Sequence, residues 1–149
     1  MGTRRQFCSL IVSGTVGFAL LCFFSPSQSF PQTQPFLIPK TANEAIEQVV
    51  MANRILANEG ILDALGHVSL RNPENPKTFF QSRSLSPSEV TKNDILEIDL
   101  DGNVVTQTTM RPYGERAIHA AILKARPEMN AVFHGHITAV IPFSVTGVP

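Results

Sequence analysis

The residues best suited to chemistry in this chain are two histidines separated by a glycine, His134-Gly135-His136, directly after the short apolar run 131–133. Residues i and i+2 of an extended segment project to one side, so two imidazoles can converge on a single cation, and Gly135 lets the backbone come close. Two polar residues ending a strand would leave the same tripeptide, so the motif needs support from elsewhere. Glu115 stands nineteen residues before His134 and twenty-one before His136, at the head of an amphipathic stretch. A carboxylate in the first turn of a helix is favoured in its ionised form by the helix dipole, which suits a base or a further metal ligand; glutamate is also common there for stability alone. His119, one helical turn after Glu115, reads as a core residue or as support for the ligands rather than as a ligand itself.

These side chains need elements to hold them. Thr41 with Glu44 three residues later forms a capping box, and Ala45, Val49, Ala52 and Leu56 follow at helical spacing until Asn58-Glu59-Gly60 stops the helix. Residues 67–71 and 78–81 read as two strands joined by the turn Asn72-Pro73-Glu74-Asn75-Pro76. Ser86-Pro87-Ser88-Glu89 starts a single helical turn. Residues 95–100, Asp101-Gly102 and Val104-Val105 predict a second hairpin. A helix over about 114–125 carries Ala117, Ile118, Ala121, Ile122 and Ala125 on one face and ends before Pro127. Residues 131–133 then read as a buried strand, and a last helix begins near Thr138. Hairpins mixed with helices imply an α/β sandwich whose sheet is antiparallel or mixed, because short turns cannot make parallel crossovers.

Composition narrows the function. The 149 residues carry 12 Lys+Arg against 12 Asp+Glu, with one Tyr and no Trp, so the basic stripe and stacking residues of a nucleic-acid binder are absent. Cys8 and Cys22 are the only cysteines, so any metal ligands beyond them are His, Asp or Glu. Residues 1–29 carry Arg4 and Arg5 as their only charges, then an apolar run over 8–24, then small residues at Ser27 and Ser29. That pattern predicts a signal peptide, of twin-arginine or ordinary secretory type, with a mature chain starting near Phe30; an uncleaved anchor is the alternative. Residues 30–40 read as a linker or arm, and 41–149 as one domain, periplasmic or secreted and free of the membrane after cleavage.

The pieces also occur together in a familiar order. Residues 45–149 resemble the class II aldolase/adducin family through Ala52-Asn53-Arg54-Ile55-Leu56, Gly66-His67-Val68-Ser69-Leu70-Arg71, the hairpin over 97–104, and the stretch from Glu115 to His136. The resemblance implies a three-layer αβα sandwich, incomplete at its C-terminal end, and a small-molecule lyase. It makes Glu115 the catalytic acid/base, and His134 and His136 two of three histidines holding a divalent metal, usually zinc. It further implies C–C cleavage next to a carbonyl through a metal-stabilised enediolate, by aldol cleavage, decarboxylation or the related epimerisation. The family's third histidine falls beyond Pro149, so Glu115 would complete the site, or His67 or His119 would substitute. Family members form rings, which makes a homo-oligomer an expectation.

At the substrate end the family's phosphate loops are changed: Gly66-His67-Val68-Ser69, Ser82-Arg83-Ser84-Leu85 and Tyr113-Gly114 stand in their places. With phosphate donors lost, His67, Ser82, Arg83 and Ser84 could instead pair with a carboxylate, favouring a non-phosphorylated hydroxy, keto or aromatic acid; Arg83 could equally be an ordinary surface residue. Two other classes stay open, a catalytically inactive fragment or adducin-like interaction module, and a periplasmic protein that binds a solute or metal without turnover.

Overall fold

The computed structural model describes residues 38–146, apart from the side chain of Ser144. The expected signal peptide and most of the 30–40 arm lie outside these residues. Helix α1 spans Ala42–Asn58. Thr41 Oγ1 accepts the Glu44 N–H at 3.2 Å as expected, but the Glu44 carboxylate reaches past Thr41 to the Lys40 N–H at 2.7 Å, closing the box one residue early. Ala45 and Val49 are buried along with Asn53, a polar residue on an apolar face. Its cost is met in full: Oδ1 accepts the Val68 N–H at 3.1 Å and Nδ2 donates to the Val49 carbonyl at 2.8 Å, so Asn53 pins α1 to the sheet.

Strands β1 (His67–Arg71) and β2 (Thr78–Ser82) form the expected hairpin. Strand β3 (Ile95–Asp99) pairs with β2, and β4 (Ala131–His134) pairs with β1. All pairings are antiparallel and the order is β3-β2-β1-β4. The second predicted hairpin is reduced to a single bridge between Ile98 and Val104. The Asp99 carboxylate accepts N–H groups from Asp101 and Asn103 and the Asn103 side-chain amide, while the Asp99 and Val105 N–H groups still donate across to the Asn103 and Glu97 carbonyls.

Alternation along the strands builds three layers. Phe80 packs with Ala45, Val49, Val90 and Ile95 on the α1 side of the sheet. Phe79, next in the chain, points the other way and packs with Leu96, Ile98, Ala120 and Leu123, the last two from helix α2 (Arg116–Ala125). The α/β sandwich is therefore helix, antiparallel sheet, helix, as the strand and helix pattern predicted.

Two expectations need correction. Helix α2 does not bury Ala117, Ile118, Ala121, Ile122 and Ala125, all of which are exposed; it buries His119, Ala120 and Leu123. A short helix made almost wholly of Ala, Ile and Leu has two apolar faces, and periodicity cannot choose between them. The buried partners of His119 choose. Residues 131–133 do form a strand, but an edge strand, with Ala131 and Phe133 exposed. Its apolar composition matches a buried strand because Val132 alone faces the α2-side core. The last helix, α3, spans only Ile141–Val145. Among the described residues no helix is long and apolar enough to cross a membrane.

One arginine ties the second layer down. Arg71, at the end of β1, donates to the carbonyls of Leu123 and Arg126 at the C-terminus of α2, to Met129 ahead of β4, and to Pro76 in the hairpin turn. Helix C-termini leave carbonyls without partners, and a guanidinium satisfies several at once while matching the dipole.

Candidate metal and acid–base site

All four histidines of the chain meet at one end of the sheet. His67 opens β1 and His134 closes β4, and the antiparallel register sets them opposite each other. Their rings stack with centroids 5.2 Å apart. The His134 and His136 rings lie 5.1 Å apart, edge to face. From α2 the buried His119 also stacks with His67, at 4.9 Å, and Tyr113, just before α2, stacks on His67 at 3.9 Å.

Each ring is held by a specific bond. Nδ1–H of His67 donates to the Leu65 carbonyl at 3.0 Å, which leaves Nε2 as a lone pair, buried and without a protein partner. His119 Nδ1 pairs with the Ser69 hydroxyl at 2.7 Å, and its Nε2 is likewise buried without a partner. His136 Nδ1–H donates to the Asp63 carboxylate at 3.0 Å. The Tyr113 hydroxyl donates to the Leu85 carbonyl.

Electrostatics follow from burial. Desolvation, reinforced by the neighbouring His67 and His134, pushes His119 down to about 3. Burial also lowers His67 and raises the Tyr113 phenol. The two buried rings are therefore neutral near pH 7. Glu115 is the residue just before the first turn of α2; its side chain caps no backbone N–H, is exposed, and lies near enough to His67 and Tyr113 to act on both electrostatically.

Two glycines make the convergence possible. A Cβ on Gly66 would lie 2.5 Å from Leu62 Cδ2, and one on Gly135 would lie 2.8 Å from the same carbon and 3.0 Å from Phe133 Cε2. Leu62 is thus wedged against the backbone both before His67 and between His134 and His136. The close approach expected at Gly135 is made against Leu62 and Phe133.

The remaining predicted residues follow at the end of β2, which the pairing of Ser69 with Gln81 sets at the same end of the sheet as His67. Ser82 is buried at the end of β2, opposite Ile95. Arg83 bridges to Pro112, beside Tyr113, and its Nε donates to Asp94 at 2.7 Å, which keeps its terminal nitrogens for another partner. The Ser84 N–H donates to the Arg111 carbonyl and its side chain is exposed. His67 differs from the expectation of a carboxylate donor, because its one N–H is committed to Leu65 and the neutral ring offers only a lone pair. Sequence reasoning missed Asp63 and Leu62 altogether, and named Ser69 only within Gly66-His67-Val68-Ser69, not as the partner of His119. An Asp three residues before Gly66 was a legible turn signal, but nothing in the chain pointed it towards His136.

By donor type, His134 and His136 fit a divalent cation: they are two adjacent imidazoles, one backed by a carboxylate as zinc-binding histidines usually are. Among the described residues, no three His, Cys, Asp or Glu side chains are grouped to hold an ion, so neither Glu115 nor His67 nor His119 is drawn in to complete a three-ligand site with the pair. An apolar groove of about 430 Å³ lies elsewhere. It is lined by Met51, Ile55, Val68 and Leu70 on the α1 side of the sheet and contains no titratable group.

Residues 47–149 match the family model for the Class II Aldolase and Adducin N-terminal domain. The chain is 37% identical over 109 residues to the decarboxylase tropJ of Talaromyces stipitatus, a match covering 72% of this chain and 41% of that protein. It is 34% identical over 119 residues to the 3,4-dihydroxyphthalate decarboxylase of Arthrobacter keyseri, covering 74% and 47%. Among solved structures, an L-fuculose 1-phosphate aldolase from Glaciozyma antarctica superposes with a TM-score of 0.66 at 34% identity, covering 72% of this chain and 46% of that one. The chain thus spans less than half the length of these relatives.

Proposed function

Because this chain belongs to the class II aldolase and adducin family, we propose that it supplies the acid–base and part of the metal-binding machinery of a metal-dependent lyase of decarboxylase or aldolase type. Its substrate is a non-phosphorylated hydroxy, keto or aromatic acid. What supports this most is the gathering of His67, His134 and His136 at one end of the sheet with Glu115 beside them. His134 and His136 would hold a divalent cation, zinc by family precedent. When bound, that cation supplies electrostatic stabilisation of negative charge on a substrate oxygen.

The chain's own residues do the rest. Glu115 carries the proton: when the C–C bond next to the carbonyl breaks, CO₂ or an aldehyde leaves, the electron pair stays on the carbon adjacent to the carbonyl, and Glu115 delivers there a proton it has taken from water or from the hydroxyl that becomes the aldehyde. The terminal nitrogens of Arg83, with Ser84, take the substrate carboxylate from the end of β2. His67 accepts rather than donates. The decarboxylase names of two relatives accord with an acid as substrate.

The expected result is about one zinc per chain in purified protein, measured by elemental analysis after dialysis, and its loss in His134→Ala. Absence of metal from the intact protein would instead favour a non-catalytic module of the same fold.

We further read residues 1–29 as an export signal, so that the mature protein works in the periplasm or outside the cell. A reporter fused after residue 35 is expected to be exported; a reporter retained in the cytoplasm would overturn this.

A further inference from the structure

The loop between α1 and β1 carries one carboxylate that no expectation assigned to the site. Asp63 faces two ways. One oxygen, Oδ1, accepts the N–H groups of Leu65 at 3.1 Å and Gly66 at 2.8 Å, and the Asp63 carbonyl accepts the Gly66 N–H as well, so the residue closes the turn that delivers His67. The other oxygen, Oδ2, lies 3.0 Å from His136 Nδ1, seventy-three residues away in the chain. Leu62, the residue before it, is buried against both Gly66 and Gly135. The turn is thus fastened at both ends to the backbone that bears the histidines.

We infer that Asp63 is the positioning residue of the His134–His136 pair, holding the His136 ring with Nδ1–H on its carboxylate so that Nε2 is left as the lone pair for a cation. The chemistry requires this division. A neutral imidazole carries one proton, and whichever nitrogen donates a hydrogen bond leaves the other as the ligand atom. A carboxylate behind a ligating histidine both fixes the ring and raises its basicity, and removing such a partner costs about 10–100-fold in metal affinity.

Asp63→Asn separates positioning from folding. The asparagine side-chain oxygen can still accept from Leu65 and Gly66, so the turn survives. Its amide NH₂ then faces His136 Nδ1 and can only donate, which moves the imidazole proton to Nε2. Two readouts apply, imidazole ¹⁵N chemical shifts of the metal-free protein and titration of both proteins with zinc, using cobalt(II) as a spectroscopic probe. The expected result is an Nδ1–H tautomer at His136 in the parent and an Nε2–H tautomer in Asp63→Asn. Zinc affinity in the variant should be about 10–100-fold weaker at an unchanged urea midpoint.

The inference rests on the metal-site reading above, and the two fail differently. Equal zinc affinity in both proteins, or a parent His136 already protonated at Nε2, overturns the role of Asp63 while leaving the site standing. Zinc bound by neither protein overturns the site and, with it, the inference.

Discussion

Glu115→Gln is expected to lower the turnover of the zinc-loaded protein by about 10²–10⁴-fold while leaving zinc affinity unchanged. The exchange preserves size and hydrogen bonding but removes the transferable proton. It does so at a position where the side chain caps no helix N–H and is exposed, so no structural bond is broken. The measurement is CO₂ release from a dihydroxyphthalate-type acid, with aldehyde release from a hydroxy acid as the second assay, alongside a zinc titration. Turnover equal to that of the parent would remove Glu115 from the proton path. Zinc lost together with turnover would make it a ligand instead.

The second large effect is on stability. Acidification from pH 6.5 towards pH 4 is expected to destabilise the domain through its buried histidines. In the unfolded chain, His119 takes a proton near pH 6.5; in the native state burial holds it neutral down to about 3. Across that window the unfolded state binds more protons, so stability rises with pH and is lost as pH falls, by up to about 1.4 kcal/mol per pH unit for each such histidine. His67 is lowered in the same direction and adds to the slope. The carboxylates of Asp63, Asp94 and Asp99, held low by their hydrogen bonds, add to acid loss only below their ordinary range near pH 4. The interval from pH 6.5 to about 5 therefore isolates the rings, since Glu47 and Glu128, also held low, add to the loss as pH falls towards their ordinary range near 4.5. Urea unfolding at several pH values should show this slope in the parent and a flatter one in His119→Asn, which is less stable at pH 7 but has one proton fewer to gain. An identical slope in both proteins would mean that His119 is not buried neutral.

Much of the scaffold was legible because its signals are local. The Thr41 cap, the hairpin closed by the 72–76 turn, and the stop at Pro127 each depend on residues a few positions apart, and each is found where the sequence puts it. The antiparallel sheet followed from the same short turns. What went astray was the facing of α2 and the burial of β4. Both depend on what an element packs against, and α2 carries Ala and Ile on its exposed side as well as Ala120 and Leu123 on its buried one.

For the site the division is the same. The chain by itself determined the donor types, the His134-Gly135-His136 spacing and the lead of nineteen residues from Glu115, since residue identity and periodicity along a strand or helix are properties of the sequence. Only the tertiary structure decided which distant groups share a ring or a proton. It set His67 against His134 through strand register, Asp63 against His136 across seventy-three residues, and Leu62 beneath two glycines. Such contacts are fixed by the closing of long loops around a common core, and nothing local to either partner encodes them.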